Sequence, residues 1–156
     1  MARELANASM YTLELDDSTS ELLDNVIGAV VYVEGATSLV VPARGPLVIG
    51  AQKFRGCDVV VSEPRLSGRH VFFELRESQA TDPQLTVTDM GSTNGVFVNG
   101  KRCAPWKPKV VRTGDVVHLS SQQVARFRVG ALKQDGLRVR TLLSAMHCLF
   151  LPRSPL

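Results

Sequence analysis

Ser67, Arg69, Thr93 and Asn94 are the residues of this chain whose types and spacing suit the binding of an anionic group, with Lys53, Arg55 and Arg65 close by in sequence. Serine and threonine hydroxyls donate to phosphate oxygens, and a guanidinium adds charge to its N–H donors. An asparagine amide supplies a donor and an acceptor together, the pairing that holds the main chain of an extended peptide. Ser67 opens Ser67-Gly68-Arg69-His70, while Thr93 and Asn94 sit in Gly91-Ser92-Thr93-Asn94-Gly95, directly before the apolar run Val96-Phe97-Val98. Ser67, His70 and Asp89 also invite comparison with a nucleophilic triad, but neither a Gly-x-Ser-x-Gly elbow nor an oxyanion glycine loop accompanies them. His70 reads instead as a hydrogen-bonded structural residue. The expectation is a binding protein and not an enzyme, with no small-molecule substrate, cofactor or metal site.

The elements that must position these residues are short. From Val26 onward, β-branched runs alternate with Gly, Pro and Asp turns, a texture that predicts strands. They fall at Ala29–Glu34, Ser38–Val41, Leu47–Gly50, Asp58–Val61, His70–Arg76, Leu85–Asp89, Val96–Val98, Lys101–Cys103, Val116–Leu119 and Ala125–Val129. Asn99-Gly100 predicts a type I′ hairpin turn, since both of its central residues take positive φ. Many short strands with no long helical pattern between them indicate an all-β, antiparallel β-sandwich of two sheets and about eleven strands. Loops from successive strand ends gather at one pole of a sandwich. Ile49-Gly50-Ala51, Arg65, Ser67–His70 and Ser92–Asn94 are therefore expected on one rim.

The expected organisation is an acidic, loosely ordered tail at 1–25, a sandwich domain at 26–130 and a helical extension at 131–156. The tail carries one arginine and six carboxylates, and Asp17–Glu21 suits a single capped helical turn leading to Leu22-Leu23. At the other end Val139, Leu142, Leu143, Met146, Leu149 and Phe150 recur at helical spacing, which predicts an amphipathic helix over 137–151, docked on the sandwich.

Composition sets the outer limits. A chain of 156 residues with 44% hydrophobic and 21% charged residues is long enough to bury a core. The net charge of +3 is spread between strands, which suits an anionic ligand better than nucleic acid, because no basic stripe interleaved with aromatics appears. Three widely spaced cysteines and no C-x-x-C pair argue against a disulfide framework or a zinc site. No apolar leader or bilayer-length stretch is visible. The expected address is intracellular, nucleus or cytoplasm, with no membrane partner.

From about Val30 to Val129 the chain resembles the forkhead-associated (FHA) domain family, β-sandwiches that bind phosphothreonine peptides through loops at one end. The resemblance rests on five ordered pieces: Ile49-Gly50, Cys57–Val61, Ser67-x-x-His70, Asp89-x-Gly91-Ser92-Thr93-Asn94-Gly95 with Asn99-Gly100, and Gly114-Asp115-x-Val117. It implies that Ser67 and Thr93 donate to the phosphate and that Asn94 holds the peptide main chain. It also implies that Gly50, His70 and Gly95 shape the loops. The chain departs from the pattern at one position. Where the family has a phosphate-binding Arg after the glycine, this sequence has Ala51, leaving Lys53, Arg55, Arg65 and Arg69 as substitutes. The resemblance implies a phosphothreonine-containing partner protein. The alternative is phosphate-independent docking by the same fold.

Overall fold

The computed structural model describes residues 11–26, 30–33, 36–52, 55–76 and 83–131. Thirteen strands and one short helix lie among them. They are β1 (Tyr11–Leu15), α1 (Asp17–Glu21), β2 (Leu23–Val26), β3 (Val30–Val33), β4 (Ala36–Val40), β5 (Leu47–Gly50) and β6 (Val59–Val61). There follow β7 (Val71–Arg76), β8 (Gln84–Asp89), β9 (Val96–Val98), β10 (Lys101–Arg102), β11 (Lys109–Val111), β12 (Val116–Leu119) and β13 (Ala125–Ala131). One sheet of seven strands runs β10-β9-β12-β13-β1-β4-β3, and a second of six runs β11-β8-β7-β5-β6-β2. The two-sheet sandwich expected from the sequence is what forms.

The core sits between the sheets. Inward positions from both, among them Leu13, Leu39, Ile49, Val59, Val71, Leu85, Val117 and Phe127, are fully buried. Phe73 of β7 meets Phe127 of β13 edge-on, with ring centroids 6.2 Å apart, the offset geometry that the ring quadrupoles favour. A smaller cluster of Val48, Cys57 and Val60, with Phe72 and Met90 packed against it, occupies the opposite face of the second sheet. It explains why β5 and β6 read as unbroken apolar runs, since a strand covered on both faces has no polar side.

Three features differ from expectation. Residues 11–15 are not tail: β1 pairs with both β13 and β4 in the middle of the seven-stranded sheet. Leu13 and Leu15 join the hydrophobic core, alternating with Thr12, which is buried with its hydroxyl donating to the Gly130 carbonyl, and half-buried Glu14. This single five-residue alternation is diluted by the acidic residues around it. The helical turn does form, with Asp16 as its N-cap accepting from Thr19 N–H at 2.8 Å. Thr19 Oγ1 accepts from Arg126 N–H at 3.1 Å, which ties the turn to β13. Secondly, β2 and β11 are additional edge strands. Thirdly, β5 and β6 pair in parallel, the one parallel pair among the described residues, in a sandwich expected to be antiparallel. The helix expected at 137–151 lies outside the described residues. Among the described residues no helix is long and apolar enough to cross a membrane.

The Asn99-Gly100 turn closes β9 on β10, with φ of +50° and +83°. Asn99 Nδ2 donates to Asp115 Oδ1 at 3.0 Å, and Asn99 Oδ1 accepts from Val116 N–H at 3.0 Å. The hairpin is thus pinned to the start of β12.

Candidate functional site

Strand register builds the site. Ile49 pairs with Val71, and Val71 pairs with Asp89, so three strand ends stand side by side. The segments that follow β5, precede β7 and follow β8 therefore leave the sheet at one pole.

Backbone contacts close these segments against each other. Ala51 N–H donates to the Ser67 carbonyl at 3.0 Å and Gln52 N–H to the Gly68 carbonyl at 3.2 Å. A Cβ on Gly50 would stand 2.1 Å from the Gly68 oxygen. Glycine is required there by close backbone approach. Cys57 Sγ also reaches the Gly68 carbonyl, at 2.9 Å, and burial pushes its thiol pKa upward.

His70 ties the remaining loop to these two. Its ring is fully buried. Nδ1 accepts from Ser67 N–H at 3.1 Å, and Nε2 lies 2.8 Å from the Gly95 carbonyl. A carbonyl can only accept, so Nε2 carries the proton and the ring is neutral. Burial pushes its pKa below the ordinary histidine value. Through its own backbone His70 donates to the Ile49 carbonyl and accepts from Met90 N–H, both at 3.0 Å. One side chain and its peptide groups thus hold the ends of β5, β7 and β8 and the turn before β9. This is the structural role expected of it, and Gly50 and Gly95 shape the same loops.

The second loop folds on itself in the same way. Asp89 Oδ1 accepts from Ser92 N–H at 2.7 Å, and Ser92 Oγ accepts from Gly95 N–H at 3.1 Å. Gly95 takes φ +88°, and a Cβ on it would meet Arg102 Nε at 2.9 Å. Thr93 N–H then donates to Ser67 Oγ at 3.1 Å. A hydroxyl accepts through a lone pair and keeps its proton to donate elsewhere. Thr93 is exposed beside it. Asn94 Nδ2 donates to the Arg65 carbonyl at 2.6 Å, which leaves the amide oxygen as an acceptor at the rim.

The cations divide sharply. Arg65 is committed elsewhere: Nε and Nη2 donate to the two Glu63 oxygens at 2.7 and 3.0 Å, and Nη1 donates to Gln122 Oε1. That partnership holds the Glu63 carboxyl below its usual pKa and raises the Arg65 guanidinium. The Arg65 guanidinium is thus engaged by Glu63 and Gln122, while its carbonyl accepts from Asn94. Arg69 is exposed and has no salt bridge among the described residues. Arg55 Nε donates to Gln52 Oε1 at 3.2 Å. Arg55 and Arg69 line one cleft of about 380 Å³ together with Gln52, Ser67 and Gly68. Ala51 is half-buried and packs against the core. Lys53 lies outside the described residues.

The same cleft is lined by Met90 and Trp106, neither of which was expected in a site. Trp106 is 62% exposed and stands at φ +63°, a conformation costly for a bulky residue. Its N–H donates to the Asp89 carbonyl at 2.8 Å. Its indole lies over Gly91, where an added Cβ would meet Nε1 at 3.0 Å. The available signal in the sequence was a lone tryptophan between Pro105 and Pro108.

Comparison with known proteins agrees with this architecture. Residues 47–120 match the family model described as FHA domain. Full-length yeast Pml1p superposes with a TM-score of 0.63 at 16% identity, covering 84% of this chain and 91% of that one. The FHA domain of CT664 from Chlamydia trachomatis gives 0.56 at 19% identity, covering 80% and 100%. The yeast Dun1 FHA domain, solved with a doubly phosphorylated peptide derived from Rad53, gives 0.55 at 21% identity, covering 83% and 82%. No curated protein matches the chain.

Proposed function

Residues 47–120 of this chain are an FHA domain, and from that premise we propose that the protein is a non-enzymatic reader of phosphothreonine in a partner protein. The observation that carries the proposal is the cleft in which the Ser67 hydroxyl stands with Arg55 and Arg69. Thr93 is hydrogen-bonded to Ser67 at the cleft edge. In this reading Ser67 and Thr93 donate to the phosphate, and Arg69 supplies the charge that Ala51 does not, with Arg55 beside it. Asn94 accepts from the peptide main chain. The Dun1 FHA domain in its phosphopeptide complex supports the reading as a protein of the same fold. His70 takes no chemical part, because both ring nitrogens are already used inside the loops.

Calorimetric titration with matched phosphothreonine and unphosphorylated peptides tests the proposal. The phosphorylated form binds and its twin does not. Arg69→Ala weakens binding by about 10- to 150-fold, the equivalent of a charge-assisted hydrogen bond. Arg65→Ala leaves the preference for phosphate unchanged. Equal binding of both peptides would instead favour phosphate-independent docking, the reading that Ala51 supports.

A further inference from the structure

The cleft that Ser67 lines is mixed in character. Arg55, Arg69 and Gln52 contribute polar groups to its lining, and Met90 and Trp106 contribute apolar ones. The apolar part is a built feature. Met90 packs on the Val48–Cys57–Val60 cluster, so its backbone and stem are anchored. Trp106 is held at positive φ by its N–H bond to the Asp89 carbonyl, with its ring seated over a glycine that itself takes φ +71°. Backbone strain of this kind costs about 1–3 kcal/mol and persists where the surroundings over-determine it. The strain here keeps 62% of a tryptophan in solvent, where it contributes little to folding. Among the described residues, the only other large hydrophobic left exposed is Val110.

We infer that Trp106 and Met90 form a specificity subsite for a large apolar side chain adjoining the phosphothreonine of the bound segment. The inference rests on the phosphothreonine reading above. The occupant follows from the cleft's mixed lining: Arg55 and Arg69 suit an anionic group, and the neighbouring side chain covers an indole and a thioether. Trp106 determines selectivity in this account, because the charge that retains the phosphate comes from other residues. A flat indole with a polarizable methionine beside it accommodates aromatic and branched aliphatic side chains. It offers nothing to a glycine, and the two arginines of the same cleft repel a lysine, offsetting the attraction between its ammonium and the indole face.

Trp106 is the chain's one tryptophan, so its fluorescence reports on this subsite alone. The probes are phosphothreonine peptides in which each flanking position in turn is Gly, Lys, Leu or Phe. At one flanking position Leu and Phe are expected to bind about tenfold tighter than Gly in the wild type. Their binding shifts the emission to shorter wavelength. Trp106→Asn removes the ring, and asparagine tolerates the positive φ, so the fold is retained. Within that variant, the ratio of affinities for the Leu- and Phe-flanked peptides over the Gly-flanked one should fall to within about twofold. Trp106→Phe should keep it. Phosphate-dependent binding with unmoved emission, or a preference that survives Trp106→Asn, overturns the subsite while leaving the phosphothreonine reading intact. Absence of phosphate-dependent binding by every peptide overturns that reading, and the subsite with it.

Discussion

Gly50→Ala is the substitution whose consequence can be worked most directly from the geometry. The added Cβ would lie 2.1 Å from the Gly68 carbonyl oxygen and 2.9 Å from the Arg69 Cα, against an ordinary contact of 3.4–4 Å. Both neighbours are backbone, so no side chain can swing away. The segment at Ser67–Arg69 must retreat by about 1 Å or more, since overlap of this depth is not tolerated in a close-packed interior. That movement breaks the bonds from Ala51 N–H to Ser67 and from Gln52 N–H to Gly68, and it loosens the Cys57 contact. Two backbone hydrogen bonds at about 0.5–1.5 kcal/mol each give a loss of about 1–3 kcal/mol. At about 2–4 °C per kcal/mol for a protein of this size, the melting midpoint should fall by several degrees. Because the retreating residues include Ser67 and Arg69, phosphopeptide affinity should fall as well, by about tenfold or more. Gly68→Ala is the control. Its Cβ would meet only the Gln52 side chain, with Oε1 at 2.7 Å and Cδ at 3.0 Å, the far end of a flexible side chain, so the midpoint should move little. Thermal denaturation and calorimetric titration of both variants read the two effects. A Gly50→Ala protein that melts and binds like the wild type would refute the close-approach argument.

Two further predictions concern pH and charge. Burial lowers the pKa of both His70 and His118, so below pH 6.5 the unfolded chain takes up protons that the folded one resists. The stability is present in full above that value and is lost as pH falls toward the lowered folded pKa. The midpoint should be flat from pH 8 to 7 and fall between about 6.5 and 5, above the range where carboxylates titrate. A midpoint that rises over that interval contradicts the neutral, buried His70. Ala51→Arg should strengthen phosphothreonine binding by up to about 1.5–3 kcal/mol and leave the unphosphorylated peptide unaffected. Repeating the titration at higher salt should shrink the gain, since exposed charges are screened over about 8–10 Å. A salt-independent gain, or one shared by both peptides, would place the new guanidinium away from a phosphate.

Where local chemistry decides structure, the sequence was readable. Leu47–Gly50, Val96–Val98 and Val116–Leu119 have the bounds expected of them. Asn99-Gly100 makes the turn that its residues demand. The meeting of the Ser67 and Thr93 loops was legible because each motif is contiguous in sequence. What escaped depends on contacts distant in the chain. β1 is a strand because β13 and β4 flank it, and nothing within Tyr11–Leu15 announces them. β11 follows Pro108 directly and pairs with β8 on one side only, so its three residues read as loop. Arg65 looked available until Glu63 and Gln122 took its donors. Glu63 is two residues away and was in view, whereas Gln122 is 57 residues away. The apolar residues of the cleft were hidden for the same reason, since Trp106 reaches it through its backbone bond to Asp89 and the seating of its ring over Gly91.

The central claim, that one pole of the sandwich reads phosphothreonine, is tested most directly by amide chemical-shift mapping. The isotopically labelled protein is titrated with a phosphothreonine peptide and with its unphosphorylated twin. The account predicts that Gln52, Arg55, Ser67, Gly68, Arg69, Thr93 and Asn94 shift with the phosphorylated peptide alone, and that Glu14, Ser38 and Arg128, cross-strand partners in the seven-stranded sheet, do not. Shifts of equal size with both peptides, or shifts gathered on Glu14, Ser38 and Arg128, would contradict it and assign the docking surface elsewhere.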